Sequence, residues 1–533
     1  MHRDIDRLGR DVFDLLIVGG GIYGLATARE AAVRGLSVAL VERDDFGART
    51  SFNHHKTIHG GLRYLPRGDV ARMRESLRER RAFARMAPQC VRPLPFVYPT
   101  SRSLTRGRLA MRAAFAVDRM LGADRNRGVH ESLHLPPGRV LTRRELIDLV
   151  PPLERTDATG GALWYEYETE ESERLTMAFA LAAARAGAVL VNYVEAILPC
   201  REGSCITGMR VRDVLTGETC LVRARITCNA AGAGAGRIMA SFGIRRPFPL
   251  MKAMNVLTSR AAGSTAYGVA TREGRLLVAL PWRGRLAIGT WHGRELAGAD
   301  AVHVQATELD EFLGEINDTM PWLELGRQDI TLVHRGLVPA RPTRRGPRFL
   351  ERNRVIDHAT EGVEGAISIV GVKYTTARAA AARAVDLARA KLGLPDIESR
   401  TDEMPLFGGG LDVGTDGVLS AVTRLYDEDG ARRIADLAAA HPELAAPLAP
   451  GVPAIGAQVI EAVRHELAVS LEDVVLRRTA LGSAGYPGDE AVRAAAAIMA
   501  AELGWSEERI ASEIEGVRRY YEIPEPPGSA GQR

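Results

Sequence analysis

The chain has 533 residues with 70 basic and 66 acidic side chains, a formal charge of +4. That balance lacks polyelectrolyte character and excludes nucleic acid as an expected partner, while the length calls for two or three domains rather than one core. The five cysteines, Cys90, Cys200, Cys205, Cys220 and Cys228, include no CxxC pair, which fits reduced cytosolic thiols and argues against zinc, iron–sulfur or any other metal centre. Met1 to Arg10 is charged without an apolar core, and no uncharged stretch approaches the ~20 residues of a membrane span. A cytoplasmic protein is expected, with peripheral attachment to the inner face of the cell membrane as a second expectation.

Phe13 to Val18 is an apolar strand that runs into Gly19-Gly20-Gly21-Ile22-Tyr23-Gly24 and then a helical segment, followed by the strand Val38 to Val41 and Glu42. Gly19 permits the tight bend, Gly21 lets a pyrophosphate approach bare backbone at the helix N-terminus, and Gly24 lets helix and sheet pack closely. Glu42, about 20 residues on, is placed to accept both hydroxyls of an adenosine ribose. The unit specifies a dinucleotide pocket and does not separate NAD from FAD.

The next segment does. From Arg43 to Leu65 the chain is dense in hydroxyl, amide and glycine donors, including Thr50, Ser51, His54, His55, Lys56, Ile58, His59, Gly60 and Gly61. Such a loop can surround an anionic pyrophosphate and a polar ring edge, which favours FAD. The stretch resembles the FAD-dependent glycerol-3-phosphate dehydrogenases, whose motif is of the form TSxxSSKLIHGGLRYL. The resemblance implies that Thr50, Ser51, His55, Lys56, Ile58 and Gly60 contact FAD, and that Arg63 and Tyr64 help to hold a substrate phosphate.

Helical Arg106 to Leu121 interleaves arginines with Leu109, Met111, Phe115, Val117, Met120 and Leu121, a pattern suited either to an anionic bilayer surface or to packing on a neighbouring domain. Leu175 to Gly187 reads as a helix feeding the strand Ala188 to Tyr193. A hairpin over Ile206 to Arg225 and a buried strand Ile226 to Asn229 follow, ending in the small-residue turn at Gly232. Pro247 to Pro347 carries short alternating strands, the pattern of an antiparallel sheet. Ala366 to Val370, Gly371 and the helix from Thr375 repeat the order strand, glycine, helix. This last piece resembles the family's GGKLTTYR, implying that Gly371, Lys373, Thr375 and Thr376 close over the flavin. From Thr401 the chain is rich in Ala, Leu and charge at helical spacing. Ala462 to Leu467 and Ser470 to Thr479 resemble the family's C-terminal motif AVRHExAxxLEDVLxRRT, with Ser470 as an N-cap and His465 in a structural role.

The expected fold is α/β: a Rossmann-like FAD-binding domain assembled from discontinuous segments (11–100, 160–245 and 350–395), an antiparallel-sheet substrate domain (246–349, with 101–159 as a helical insertion), a C-terminal α-helical domain (396–521) and a disordered tail (522–533). The resemblance implies oxidation of sn-glycerol 3-phosphate or a similar phosphorylated polyol, with electrons passed to quinone or another acceptor. Arg63, Tyr64, Arg352 and Lys373 are the expected substrate contacts; His59, His292 and Lys373 are the catalytic candidates. Three positions depart from the family pattern: Val338 stands where GxRPL has arginine, Asn255 where a KGxH-like strand has histidine, and Ile288-Gly289-Thr290-Trp291-His292-Gly293 where the family has IGTTD. Arg335 and Arg341 flank the altered turn and are candidates to supply the missing cation. The His54-His55 pair is reminiscent of sarcosine-type amine oxidases, and a histidine there is a candidate to contact the flavin ring or to carry FAD covalently. An amine or amino-acid oxidase is therefore the alternative enzyme, and a catalytically altered FAD-binding protein the non-enzymatic one.

Overall fold

A computed structural model describes residues 1–344, 346–407 and 417–525. The strand Val12–Val18 lies at the centre of a parallel core between Thr219–Asn229 and Val38–Val41, which are flanked by Ala366–Val370 and Val189–Val191. Parallel strands covered on both faces read as continuous apolar runs, and Leu15, Leu16 and Ile17 are all fully buried. The expected hairpin is present, but its second strand and the buried strand after it are one continuous strand, Thr219–Asn229, paired on one side with Cys205–Asp213 and on the other with Val12–Val18. The helix Ile22–Val33 is buried around most of its circumference. It packs against Ser172–Arg185 and the alanine-rich Ala377–Lys391, whose small side chains permit that proximity.

The second sheet is mostly antiparallel and larger than expected. Leu250–Ala261 pairs with both Arg285–Ala297 and Ile330–Arg341, and the sheet continues through Leu276–Trp282 and Ala266–Ala270 to Arg92–Thr100 and Gly160–Glu168. Arg92–Thr100 and Gly160–Glu168, with Thr57–Ile58, all within the segments expected to build the FAD-binding domain, pair into this sheet. A strand's own alternation is the same in either sheet; which partner it finds is settled by long-range pairing. The 101–159 insertion is likewise not wholly helical, because Arg139–Thr142 adds a strand beside Gly160–Leu163. The helix Ala306–Thr319 covers one face with Leu309, Phe312, Leu313 and Ile316.

The C-terminal helices, chiefly Glu428–Ala440, Gly456–His465, Asp489–Leu503 and Glu507–Tyr521, pack against the opposite face of this sheet and against the dinucleotide unit. Ser470 Oγ accepts from the Asp473 NH at 3.3 Å and donates to the Asp473 carboxylate at 2.8 Å, ahead of the short, wide helical turn Asp473–Arg478. Interior charges seal the junction. Arg174 donates to both carboxylate oxygens of Glu466 at 2.7 and 2.9 Å, and both side chains are 1% exposed. The start of the expected tail is docked: Ile523 packs on the substrate domain and the Pro524 carbonyl accepts from Arg327. Residues 526–533 lie outside the described residues. Among the described residues no helix is long and apolar enough to cross a membrane, no group of side chains suits a metal ion, and the five cysteines are unpaired.

Removing one member of a buried pair leaves the other charge uncompensated, at a cost of about 3–5 kcal/mol. Arg174→Met is expected to lower stability by that amount in urea unfolding; a loss below about 1 kcal/mol would show that Glu466 finds another partner.

Candidate active site

The glycine turn is built as its spacing demands. Gly19 has φ +112°, and a Cβ there would lie 2.6 Å from the Ala230 carbonyl oxygen; a Cβ on Gly24 would lie 1.8 Å from the Gly19 oxygen. Gly21 precedes the first helical residue, Ile22, whose NH donates to Ser51 Oγ at 2.9 Å. Glu42 is half-buried just beyond the end of its strand and accepts from the Gly20 and Asp44 NH groups at 2.6 and 2.9 Å. Burial raises its pKa. Gly232, at φ +56°, has open space where a Cβ would be. Gly24→Ala is expected to yield protein without bound flavin, checked by the absorbance of the purified protein; normal flavin content would mean that helix and strand can part.

The loop from Thr50 to Gly61 bridges the two sheets. Thr50 Oγ1 donates to the Leu337 carbonyl, the Arg335 NH donates to Asn53 Oδ1 and Asn255 Nδ2 donates to the Asn53 carbonyl. Asn255 also accepts from Thr290 Oγ1 at 2.8 Å. One end of this amide thus holds the loop on the sheet and the other holds a neighbouring strand. Lys56, expected to contact cofactor, is instead a clamp. It is 1% exposed with φ +42°, donates to the Phe52 carbonyl and Ser172 Oγ, and lies 4.7 and 4.8 Å from the centres of the Phe52 and Trp282 rings. Burial lowers its pKa to about 8. Ile58 is a core residue, and Gly60 is required by the Arg80–Glu166 pair: its NH donates to Glu166 Oε2, and a Cβ would lie 2.6 Å from Arg80. Gly371 is required by Tyr23, whose ring a Cβ would meet at 2.2 Å. The Tyr23 hydroxyl accepts from the Val372 and Lys373 NH groups and donates to the Lys373 carbonyl. Thr375 Oγ1 accepts from the His59 NH, and Thr376 Oγ1 from Asn353 Nδ2, at the entry to helix Ala377–Lys391.

Beside this loop the charge is positive. The buried Tyr64 ring is faced by Lys373 Nζ at 4.2 Å, Arg72 at 4.5 Å and Arg63 at 5.3 Å. Arg72 is committed to Asp69 and Glu351. Among the described residues neither Arg63 nor Lys373 has a carboxylate in ion-pair reach, an arrangement suited to an anion. Burial, then Arg63 and Arg72, brings Lys373 down to about 7. Burial, then Arg63, Lys373 and Arg80, holds His59 far below the ordinary histidine range, so its imidazole is neutral. His292 is stacked on Phe349 at 5.1 Å, and burial with Arg275 and Arg63 lowers it to about 4. Arg352 is not gathered into this cluster: it is 66% exposed and bonds Asp69. Arg335 and Arg341 do not replace the arginine absent at Val338, since Arg335 lies over the Tyr520 ring at 5.0 Å and Arg341 is exposed.

Four histidines, His334 buried and the others half-buried, leave buried ring nitrogens without a protein partner: His54 Nε2, His55 Nε2, His59 Nδ1, and both nitrogens of His334. His54 stacks on Tyr374 at 4.4 Å, and His334 is wedged between Phe52 and Trp282. Orphaned buried nitrogens at this density fit a site for a polar ligand. His334 and Tyr23 were invisible as site residues in the sequence, although the inward phase of His334 on an alternating strand is a usable signal.

Residues 14–387 match the family model described as FAD dependent oxidoreductase, and residues 399–510 that of the C-terminal domain of alpha-glycerophosphate oxidase. The chain belongs to the FAD-dependent oxidoreductases. It is 31% identical to a glycerol-3-phosphate dehydrogenase of Synechocystis over 98% of both chains, and 31% identical to one of Mycobacterium leprae over 96% of this chain and 88% of that one. The solved glycerol-3-phosphate dehydrogenase from Bacillus halodurans complexed with FAD has the same fold, with a TM-score of 0.74 and 21% identity over 97% of both chains. The cofactor is FAD, and the glycine turn, Glu42 and the unpaired histidines fit it.

Proposed function

We propose that this FAD enzyme oxidises sn-glycerol 3-phosphate, or a closely similar phosphorylated polyol, to dihydroxyacetone phosphate. The observation that carries the reading is the pair Arg63 and Lys373, which share one buried aromatic ring and have no carboxylate partner among the described residues. The names of the full-length relatives support it. Bound FAD supplies the acceptor for the hydride leaving C2. Arg63 and Lys373 hold the phosphate, and Tyr64 keeps both cations in place. His59, neutral and with Nδ1 unpaired, takes the proton of the C2 hydroxyl. The arriving dianion offsets Arg63 and Lys373, two of the three cations that depress His59, so the base strengthens when substrate is bound. His292 forms a wall of the site against Phe349.

Anaerobic bleaching of flavin absorbance by glycerol 3-phosphate tests the reading directly. Rapid bleaching is expected, and His59→Asn is expected to slow it by ~10²–10⁴-fold. Bleaching by sarcosine alone would favour an amine oxidase, and no bleaching by polyol or amine would favour a non-enzymatic protein. Lys373 is faced by Arg63, Arg72, Glu75 and Glu351. Its ammonium is lost as pH rises through about 7, so kcat/KM is expected to fall above that pH. Lys373→Arg should remove the fall; an unchanged profile would take Lys373 out of phosphate binding.

The electrons pass to quinone or another acceptor, from a protein attached peripherally to anionic membrane. The helix Arg108–Leu121 supports this attachment, burying only Phe115 and Asp118. Leu104, Leu109 and Met120 are 98%, 79% and 70% exposed beside the exposed Arg102, Arg106, Arg108, Arg112 and Arg119. Such a surface combines apolar insertion with attraction to acidic lipid. Co-sedimentation with phosphatidylglycerol vesicles is expected and should be lost in Leu104→Ser/Leu109→Ser/Met120→Ser; equal binding to neutral vesicles, or none to either, would sink the attachment.

A further inference from the structure

Asp45 lies three residues beyond the ribose acid, on the loop that leads from Glu42 to Thr50 and Ser51. It is 1% exposed, and most of the hydrogen bonds it accepts come from the C-terminal domain. Arg478 donates to both its oxygens at 2.7 and 2.6 Å, Arg477 Nε donates at 2.6 Å, and Asn192 Nδ2 completes the set at 3.1 Å. The arginines are themselves fixed. Arg477 Nη2 donates to Asp473, which also accepts from the Tyr193 hydroxyl, and Arg478 donates to the Glu466 carbonyl. The charges balance, with Asp45, Asp473 and Glu466 against Arg477, Arg478 and Arg174. The next residues touch the glycine turn. Gly47 NH donates to the Gly20 carbonyl at 3.0 Å, and the Phe46 ring is so close to Gly20 that a Cβ there would lie 2.7 Å from it.

We propose that Arg477 and Arg478 of the C-terminal domain are positioning residues for FAD: by holding Asp45 they fix the loop that presents Phe46 and Gly47 to the glycine turn and Thr50 and Ser51 to the cofactor. The inference rests on the assignment of FAD to this pocket. Neither arginine needs to touch the cofactor; their effect passes through one buried carboxylate and the short backbone segment from Asp45 to Ser51. The C-terminal helical domain thereby acts in cofactor retention, a role distinct from substrate binding at Arg63 and Lys373. A carboxylate in the interior is retained only when its charge is matched, so loss of either arginine frees the loop at Asp45 while leaving the strand and helix of the dinucleotide unit intact.

The test titrates FAD into full-length apoprotein, following quenching of flavin fluorescence, together with hydrogen exchange of residues 43–52. In Arg478→Met the FAD dissociation constant is expected to rise about tenfold or more, as when an outer-shell support of a bound group is removed. Exchange over 43–52 should quicken while exchange over Val12–Val18 does not, and Arg478→Lys should recover part of the affinity. A purely structural role would instead lower stability while the folded fraction binds FAD within twofold of wild type; that result overturns the proposal. Should Arg478→Met fail to fold, Asn192→Ala removes a single bond to Asp45. A rise in its dissociation constant with faster loop exchange supports the proposal, and no change in either overturns it. Wild-type apoprotein that takes up no FAD would overturn the cofactor assignment itself, separately from this inference.

Discussion

A carboxylate cannot remain charged in a protein interior without partners, and Asp45 meets that constraint by recruiting two arginines from the far end of the chain. Much of the active site hangs on this contact and on those that follow it along the same loop. Asp45 is tied to the C-terminal helices, Phe46 and Gly47 to the glycine turn, Thr50 and Asn53 to the second sheet, and Lys56 to the helix that begins at Ser172. One continuous segment is thus made common to all three structural units. Its geometry is set only when all three are docked, which is how a chain of discontinuous pieces forms a single cofactor site.

The same loop ends beside a cluster of positive charge. Arg63, Arg72 and Lys373 surround one tyrosine ring, and acidic partners are assigned to Arg72. Arg63 and Lys373 have no carboxylate in ion-pair reach among the described residues, so their mutual repulsion is not relieved by the protein. The histidines stay neutral there because burial and neighbouring cations both oppose their protonation. Asn255 and Val338 acquire a meaning in this setting. Asn255 holds the loop with its Nδ2 and a neighbouring strand with its Oδ1, and Val338 lies across from Met251 in the sheet, so neither supplies charge or a base.

The parts that were legible in advance are those whose chemistry is local. Gly19, Gly21, Gly24 and Glu42 are identified by spacing because a turn, a close approach and a ribose acid each demand a residue type at a set distance along the chain. The surroundings that the sequence does not reveal share one cause. Lys56 lies in a donor-rich loop, and nothing nearby in sequence reveals that Phe52, Trp282 and Ser172 enclose it. Arg352 follows a matching motif, yet Asp69, far earlier in the chain, captures it at the surface. Arg92–Thr100 falls in an expected FAD-binding segment and finds its partner, Gly160–Glu168, far along the chain, and Gly60 and Gly371 are closely approached by Arg80 and Tyr23.

The sequence by itself determined the class of fold, the dinucleotide unit, the cofactor and the family, because these depend on periodicity, glycine geometry and short motifs carried within a few tens of residues. Tertiary structure alone decided which cations remain unpaired, which histidines are left without partners, and that the C-terminal helices grip the cofactor loop. Those properties are set by burial and by charges arriving from distant segments, and a pKa or an ion pair has no definite value until the groups around it are in place.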